Sequence, residues 1–265
     1  MSGRYHPTFF SEVAPGSAAS AHRIVPLLLG LTDIGSVVDV GCGAGGWLAT
    51  FAELGVDDYL GIDGSYVDAA SLPFPSDRFR AHDLEDPIVL DRRFDLALSL
   101  EVAEHLGADR AAAHVVSLTG LAPIVAFSAA IPGQGGVGHV NEQWPDYWEA
   151  LFAARGYVLL DWFRPQLWDD DAIEPWYRQN LFLFVERDRL DHLREAVDGD
   201  RPLPLRLVHP DVFKMVLSEP LSLRAIAKAA PPAVRASVGA RWARRPGWLA
   251  SPRTADPARS AGPAA

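Results

Sequence analysis

A cluster of glycines set between an apolar strand and an amphipathic helix limits this chain more than any other feature. Ser36-Val37-Val38-Asp39-Val40 reads as a buried strand. Gly41-Cys42-Gly43-Ala44-Gly45-Gly46 follows. Trp47, Leu48, Phe51 and Leu54 then recur at helical spacing, with Gly55 placed to end the helix. Glycines at such a turn let the backbone approach a ligand closely, and the helix start presents unpaired N–H groups. The turn alone leaves alternatives open. It can be tight without holding anything, and Gly41, Gly43 and Gly46 also fit the G-x-G-x-x-G dinucleotide fingerprint.

The rest of the chain alternates in the same way. Residues 59–62, 79–81, 94–100 and 124–128 read as strands, with helices over about 109–121 and 145–155. Pro145 suits a first helical position and Gly156 a stop. Residues 157–163 and 181–185 close the series. The segment 164–180 between them reads as non-helical, so these two strands can pair antiparallel. A helix over 17–29, with Ser17 as N-cap and Pro26 in its interior, precedes the first strand, and 187–197 reads as a further helix. Strands alternating with helices imply a doubly wound α/β fold, its mainly parallel sheet covered on both faces. The expected division is an N-terminal cap segment, 1–34; an α/β domain, 35–186; a helical extension, 187–246; and a disordered basic tail, 247–265.

Charge and composition narrow the function. The chain has 265 residues, 49% hydrophobic, which suits an enzyme-sized α/β domain with an appendage. Its single cysteine excludes a disulfide scaffold and a cysteine-rich zinc site. The net charge of −10 is uneven: residues 223–265 hold eight basic residues and one acid, leaving −17 on residues 1–222. A body that acidic repels phosphate backbones, so nucleic acid is not an expected partner. The basic tail, with Arg241-Trp242-Ala243-Arg244-Arg245, reads as a solvated tail or as a weak contact for an anionic membrane surface or a phosphorylated carrier. The first residues lack the apolar core of a signal peptide, and Leu27-Leu28-Leu29 is too short to span a bilayer. The expectation is a soluble cytoplasmic protein without a transmembrane segment.

Three acids give the glycine turn a ligand. Asp39, two residues before Gly41, can accept hydrogen bonds from an ammonium group. Asp63, 22 residues after Gly41, can hold both hydroxyls of a ribose. Asp83, in His82-Asp83-Leu84, can accept from an adenine amino group while Leu84 packs on the ring. A nucleoside that carries an amino acid and no phosphate fits all three. On Asp39–Gly45, Gly61-Ile62-Asp63, His82-Asp83-Leu84 and Phe94–Leu106, the chain resembles the class I S-adenosylmethionine-dependent methyltransferases over about residues 35–185. The resemblance implies strand order 3-2-1-4-5-7-6 with strand 7 antiparallel. It also implies S-adenosylmethionine as cofactor, bound by Asp39, Gly41, Gly43, Gly45, Asp63, Asp83, Leu84 and Leu100.

Glu101, Glu104 and His105 follow the fourth strand, at the edge where open parallel sheets bind ligands. If the chain turns helical there, all three share a face. Two carboxylates and an imidazole can bind a divalent metal or supply a general base; equally, Glu101 can contact cofactor or backbone while Glu104 is solvated. Similar segments occur in ubiquinone-type O-methyltransferases and in small-RNA 2′-O-methyltransferases. In the RNA enzymes a later histidine completes a metal site, and His139 is the candidate here. The resemblance thus implies Glu101, Glu104, His105 and His139 as ligands for Mg or Mn. Against it, the His105–His139 spacing is short for that family. The alternative makes His105 or His139 the base, with Glu104 fixing the tautomer. His6, His22, His192 and His209 have no supporting partners in sequence, and His82 and His114 read as structural.

The glycine loop 133–138 suits closure over a substrate. Trp148 reads as helix core, whereas Trp168 and Trp176, in a polar stretch, suit the flat face of a sugar. The expected reaction is methyl transfer to an oxygen of a small-molecule acceptor, a sugar or glycosylated metabolite. The competing readings are an NAD-dependent oxidoreductase, against which Asp39 and Asp83 argue, and a non-catalytic cofactor-binding partner protein.

Overall fold

The computed structural model describes residues 7–190, 193 and 203–218. Its centre is one seven-stranded sheet: β1 (Ser36–Val40), β2 (Asp58–Asp63), β3 (Phe79–Ala81), β4 (Leu96–Leu100), β5 (Ile124–Ser128), β6 (Tyr157–Leu160) and β7 (Phe182–Glu186). The spatial order is β3-β2-β1-β4-β5-β7-β6. β7 runs antiparallel to both neighbours, and every other pair is parallel. Around the sheet, the described residues include α1 (Pro7–Leu31), α2 (Gly46–Glu53), α3 (Ala111–Leu121), α4 (Pro145–Ala153), α5 (Arg164–Leu167), α6 (Pro175–Asn180) and α7 (Pro210–Ser218).

The period of two in each strand divides the core. Val37, Leu96 and Leu98 face one layer, with Ile24 and Leu28 of α1 and Leu48 and Phe51 of α2. Val38, Ala97 and Val125 face the other, with Val115 and Leu118 of α3 and Trp148 and Phe152 of α4. The strand order reverses at β1, which pairs with β2 on one side and β4 on the other. That reversal opens a crevice at the carboxyl ends of these strands.

Several sequence expectations are corrected. The first helix starts at Pro7, so Ser17 lies inside it and its hydroxyl accepts from the Trp47 indole N–H (3.0 Å). Pro26 is tolerated within that helix because it faces solvent while Ala21, Ile24, Val25 and Leu28 are buried. Segment 164–180 is not helix-free: it forms α5 and α6, each with proline in its first turn. Helices of four and six residues carry too little period to read. The stretch expected as a helix over 187–197 opens with a 3-10 turn at Arg187–Arg189 and is helical at Leu190 and Leu193, its other residues lying outside those described. The basic tail 247–265 and much of the expected extension 187–246 lie outside the described residues.

Candidate functional site

The glycine turn leaves β1 with the backbone conformations that the sequence requires. Gly41, Gly43 and Gly45 have φ of 92°, 51° and 77°, in the left-handed region where a side chain is strained. A Cβ on Gly41 would also lie 2.3 Å from Val102 Cγ2. The Gly41 N–H donates to the Ile62 carbonyl (2.7 Å), tying the turn to β2.

Asp39 and Asp63 stand on either side of this turn, both buried. Burial holds the Asp39 carboxyl at about 8, with the Asp63 charge adding to the rise. Burial also raises Asp63, against the hydrogen bonds it accepts. Those come from the Gly43 N–H (2.8 Å), the Gly64 N–H (2.6 Å) and the Tyr66 hydroxyl. Next to Asp63, a cavity of about 240 Å³ is lined by Gly64, Ser65, Tyr66, Ala81, His82, Asp83 and Leu84. Asp83 is exposed at this cavity and accepts from the Glu85 N–H (3.1 Å), while Leu84 is buried. Leu100 is buried at the end of β4, in the layer under α1 and α2. A nucleoside-sized opening beside a buried carboxylate, next to a turn with glycine at 41, 43, 45 and 46, fits the adenosine part of S-adenosylmethionine. Tyr66 was not foreseen; its place three residues after Asp63 was the available signal.

Beyond β4 the chain does not turn α-helical, as the shared-face argument assumed. Glu101 has φ 56°, the one positive value outside glycine among the described residues, and a 3-10 turn covers Ala103–His105. Its N–H is anchored by the Ser128 carbonyl (3.0 Å) and hydroxyl (3.1 Å), which fixes this bend. The Glu101 carboxylate accepts from Asn180 Nδ2 and Gln134 Nε2, both at 3.4 Å. Gln134 Oε1 in turn accepts from Asn180 (3.0 Å) and Gln179 (3.2 Å). Burial raises the Glu101 carboxyl, opposed by hydrogen bonds from Ser128 and Asn180.

Glu104 is not solvated. It is fully buried, and neither carboxylate oxygen has a hydrogen-bond partner among the described residues. Burial raises its carboxyl well above the ordinary range, and the Glu101 charge raises it further. Its backbone carbonyl accepts from Val140 (2.8 Å) and Asn141 (3.0 Å), which draws the loop after β5 across the sheet edge. His139 therefore lies over Glu104, with Nε2 3.9 Å from Oε1, and its ring meets His105 edge-on at 4.8 Å. One ligand atom each from Glu104, His105 and His139 falls within 4.8 Å of the others. Glu101, held by amides, is not in this trio. An unpartnered buried carboxylate facing two imidazoles fits the donor set of a divalent metal.

Glu104 is too far from His139 to hydrogen-bond, so it does not fix that tautomer. Glu142 does: its Oε1 takes His139 Nδ1 at 3.0 Å. A carboxylate only accepts, so Nδ1 carries the proton and Nε2 presents a lone pair toward Glu104 and His105. Glu142 also accepts from the Gly133 and Gly135 N–H groups (both 2.8 Å), which pin the glycine loop. Glu142 and Gln134 had no assigned role in the sequence reading.

The tryptophans and remaining histidines are mostly structural. Trp148 packs on Phe127 at 5.1 Å. Trp168 lies 4.5 Å from the His209 ring, and Trp176 on α6 packs against Tyr177. Neither stands in a free polar loop. His209 has partners after all: its Nε2 bonds the Trp168 carbonyl (2.8 Å). His22 bonds Glu53 (3.0 Å). His114 bonds the Ser99 hydroxyl (2.9 Å), and burial lowers it to about 4. His6 and His192 lie outside the described residues.

Residues 16–114 match the model of a methyltransferase domain family. No curated protein matches the chain. The S-adenosylmethionine-bound structure of CalS10, an amino pentose methyltransferase from Micromonospora echinaspora involved in calicheamicin biosynthesis, is similar in fold. It has a TM-score of 0.51 and 17% identity, covering 69% of this chain and 98% of that one. The sugar N-methyltransferase KedS8 from Streptoalloteichus sp. gives a TM-score of 0.54 at 17% identity, covering 69% and 93%.

Proposed function

We propose that this chain, a class I S-adenosylmethionine-dependent methyltransferase in fold and in its matched domain, transfers the methyl group to an oxygen of a small polyhydroxylated acceptor. One observation carries the reading: the Asp63 cavity and the cluster of Glu104, His105 and His139 open on the same sheet edge, on the two sides of the β1 switch point. When bound, the cofactor supplies a methyl on a positively charged sulfur. Asp39 holds the amino group of its amino-acid arm, Asp63 the ribose hydroxyls, and Asp83 with Leu84 the adenine. Gly41, Gly43 and Gly45 let the turn backbone approach the ligand closely.

An alcohol holds its proton near neutral pH, so the oxygen needs a base as the carbon–oxygen bond forms and the carbon–sulfur bond breaks. His139 Nε2 takes that proton. Glu142 stabilises the resulting imidazolium through Nδ1. The unpartnered Glu104 carboxylate also supports a second reading, in which Glu104, His105 and His139 hold a divalent ion that would polarise the acceptor oxygen.

The test is transfer of labelled methyl from S-adenosylmethionine to a panel of sugars and glycosylated metabolites, with amino sugars beside their hydroxyl counterparts. The reading expects an ether product. Labelling of amino sugars alone would move the acceptor to nitrogen, and no labelling of any kind would remove the reading. Loss of turnover in chelator, restored by Mn²⁺, selects the metal form; indifference to chelator selects the base form.

A further inference from the structure

Three polar side chains at the sheet edge share one partner, and that partner comes from a loop. Gln179 and Asn180, at the end of α6, are 1% and 2% exposed. Glu101 stands at the bend after β4. Each is fixed by its own surroundings. The His209 N–H donates to Gln179 Oε1 (2.8 Å), Gln179 Nε2 donates to Asn180 Oδ1 (2.8 Å), and the Ser128 hydroxyl and carbonyl hold the Glu101 N–H. Their remaining groups converge on Gln134. Asn180 Nδ2 (3.0 Å) and Gln179 Nε2 (3.2 Å) donate to its Oε1, and its Nε2 donates to Glu101 Oε2 at 3.4 Å. Two N–H donors beside one carboxylate make a cradle for an acceptor atom next to a donor atom.

Gln134 is the member that can leave. The other three belong to α6 and to the anchored end of β4, whereas Gln134 lies in a loop where Gly133, Gly135, Gly136 and Gly138 all have positive φ. The same loop covers the nitrogen assigned as base. Gly136 lies so close to the His139 ring that a Cβ on it would be 2.3 Å from Nε2. Glu101 stands near both features: burial raises its carboxyl, and the neighbouring His139 charge is among the effects that oppose the rise. The side chain that pins the loop and the base beneath the loop therefore share one corner of the site.

We propose that Glu101, Gln179 and Asn180 form the subsite that recognises a vicinal diol of the acceptor, and that Gln134 is an internal stand-in which the diol displaces. One hydroxyl oxygen accepts from the Asn180 and Gln179 amides, and its neighbour donates to Glu101. A vicinal diol spaces its two oxygens farther apart than an amide spaces its oxygen and nitrogen. It therefore reaches the carboxylate that Gln134 meets only at 3.4 Å. Displacing Gln134 unpins the loop, and Gly136 then leaves the His139 ring. Recognition of the acceptor and uncovering of the base become one event. This inference rests on the acceptor reading above and adds which part of the acceptor is read. If Gln134 only braced the loop, or touched the acceptor itself, its removal would have the opposite effect on acceptor binding.

Calorimetry on the full chain saturated with S-adenosylhomocysteine tests this without turnover. The probes are methyl glycosides of neutral hexoses and pentoses, each beside its singly deoxygenated counterparts. At least one glycoside should bind, and loss of either hydroxyl of one vicinal pair should weaken it about tenfold or more. Gln134→Ala should bind the same glycoside about tenfold tighter, because an internal competitor is gone. Asn180→Ala should bind it about tenfold weaker, with S-adenosylhomocysteine affinity unchanged. Should Asn180→Ala fail to fold, the Gln134→Ala comparison still decides. Weaker or unchanged glycoside binding in Gln134→Ala would overturn the proposal. So would binding indifferent to deoxygenation, or no glycoside bound by either protein. Methyl transfer to a sugar, with Gln134→Ala binding that sugar no tighter, would strike this inference and leave the reaction standing. Tighter binding in Gln134→Ala without methyl transfer to any sugar would do the reverse.

Discussion

Replacing Asp39 with asparagine removes a buried titrating group and keeps its shape. In the fold its carboxyl sits at about 8, against an ordinary value of 3.8, because burial and the Asp63 charge disfavour the ionised form. Between those values the folded chain binds a proton that the unfolded chain has released. Stability therefore falls as pH rises through the window, and the loss is complete above about pH 8. The slope is about 1.4 kcal/mol per pH unit, so the wild type loses about 2.7 kcal/mol from this group between pH 5 and 7. For a domain of this size that is roughly 5–10 °C in melting temperature. The asparagine variant lacks this component, so its advantage over the wild type should grow by that amount across the window. S-adenosylhomocysteine should reverse the order: its ammonium favours ionised Asp39, and wild-type binding at pH 6.5 should release about one proton more than binding to the variant. Thermal denaturation from pH 5 to 8, with calorimetry in buffers of different ionisation enthalpy, measures both. Parallel melting curves for the two proteins would refute the reasoning, because they would mean that Asp39 is ionised at neutral pH in the fold.

Asp63→Ala should weaken S-adenosylhomocysteine by about 1–3 kcal/mol, read by calorimetry, since the ribose hydroxyls lose their buried acceptor. Tyr66→Phe should bind the same nucleoside as well as or better than wild type, because the Tyr66 hydroxyl occupies that carboxylate in the free protein. Weaker binding would make Tyr66 a ligand contact. His139→Ala should lower turnover by about 10²–10⁴-fold with cofactor affinity unchanged. Glu142→Gln should lower turnover with cofactor affinity unchanged, because a neutral amide stabilises the His139 imidazolium less than the carboxylate bound to Nδ1 does. Unchanged turnover in that variant would take Glu142 out of the reaction. 

The fold was legible where apolar runs were long enough to carry a period. Ser36–Val40 and Ile124–Ser128 appear with the bounds read from their largely apolar runs, and Pro145 begins α4 as its fixed φ favours. α5 and α6 were not legible, because helices of four and six residues are set by tertiary packing. The candidate site divides in the same way. Asp39, the glycines and Asp63 lie close to one strand–turn–helix unit, so local spacing carries them. The bend at Glu101 does not follow from its residue type, since its φ of 56° is imposed by Ser128, 27 residues on. Asn180 and Gln134 stand 46 residues apart and meet only because β7 returns beside β5. Burial of Glu104 depends on the loop that Val140 and Asn141 bring to its carbonyl, a long-range contact with no local signature.

The central claim is that a nucleoside with an amino-acid arm spans this sheet edge and turns its sulfur toward the histidine cluster. A crystal structure of the complex with S-adenosylhomocysteine tests it most directly. The account predicts adenine in the cavity between Gly64 and Leu84, ribose hydroxyls on Asp63, the amino group on Asp39, and the sulfur facing Glu104, His105 and His139. A nucleoside bound away from Asp63, or a sulfur turned from those three side chains, would contradict it.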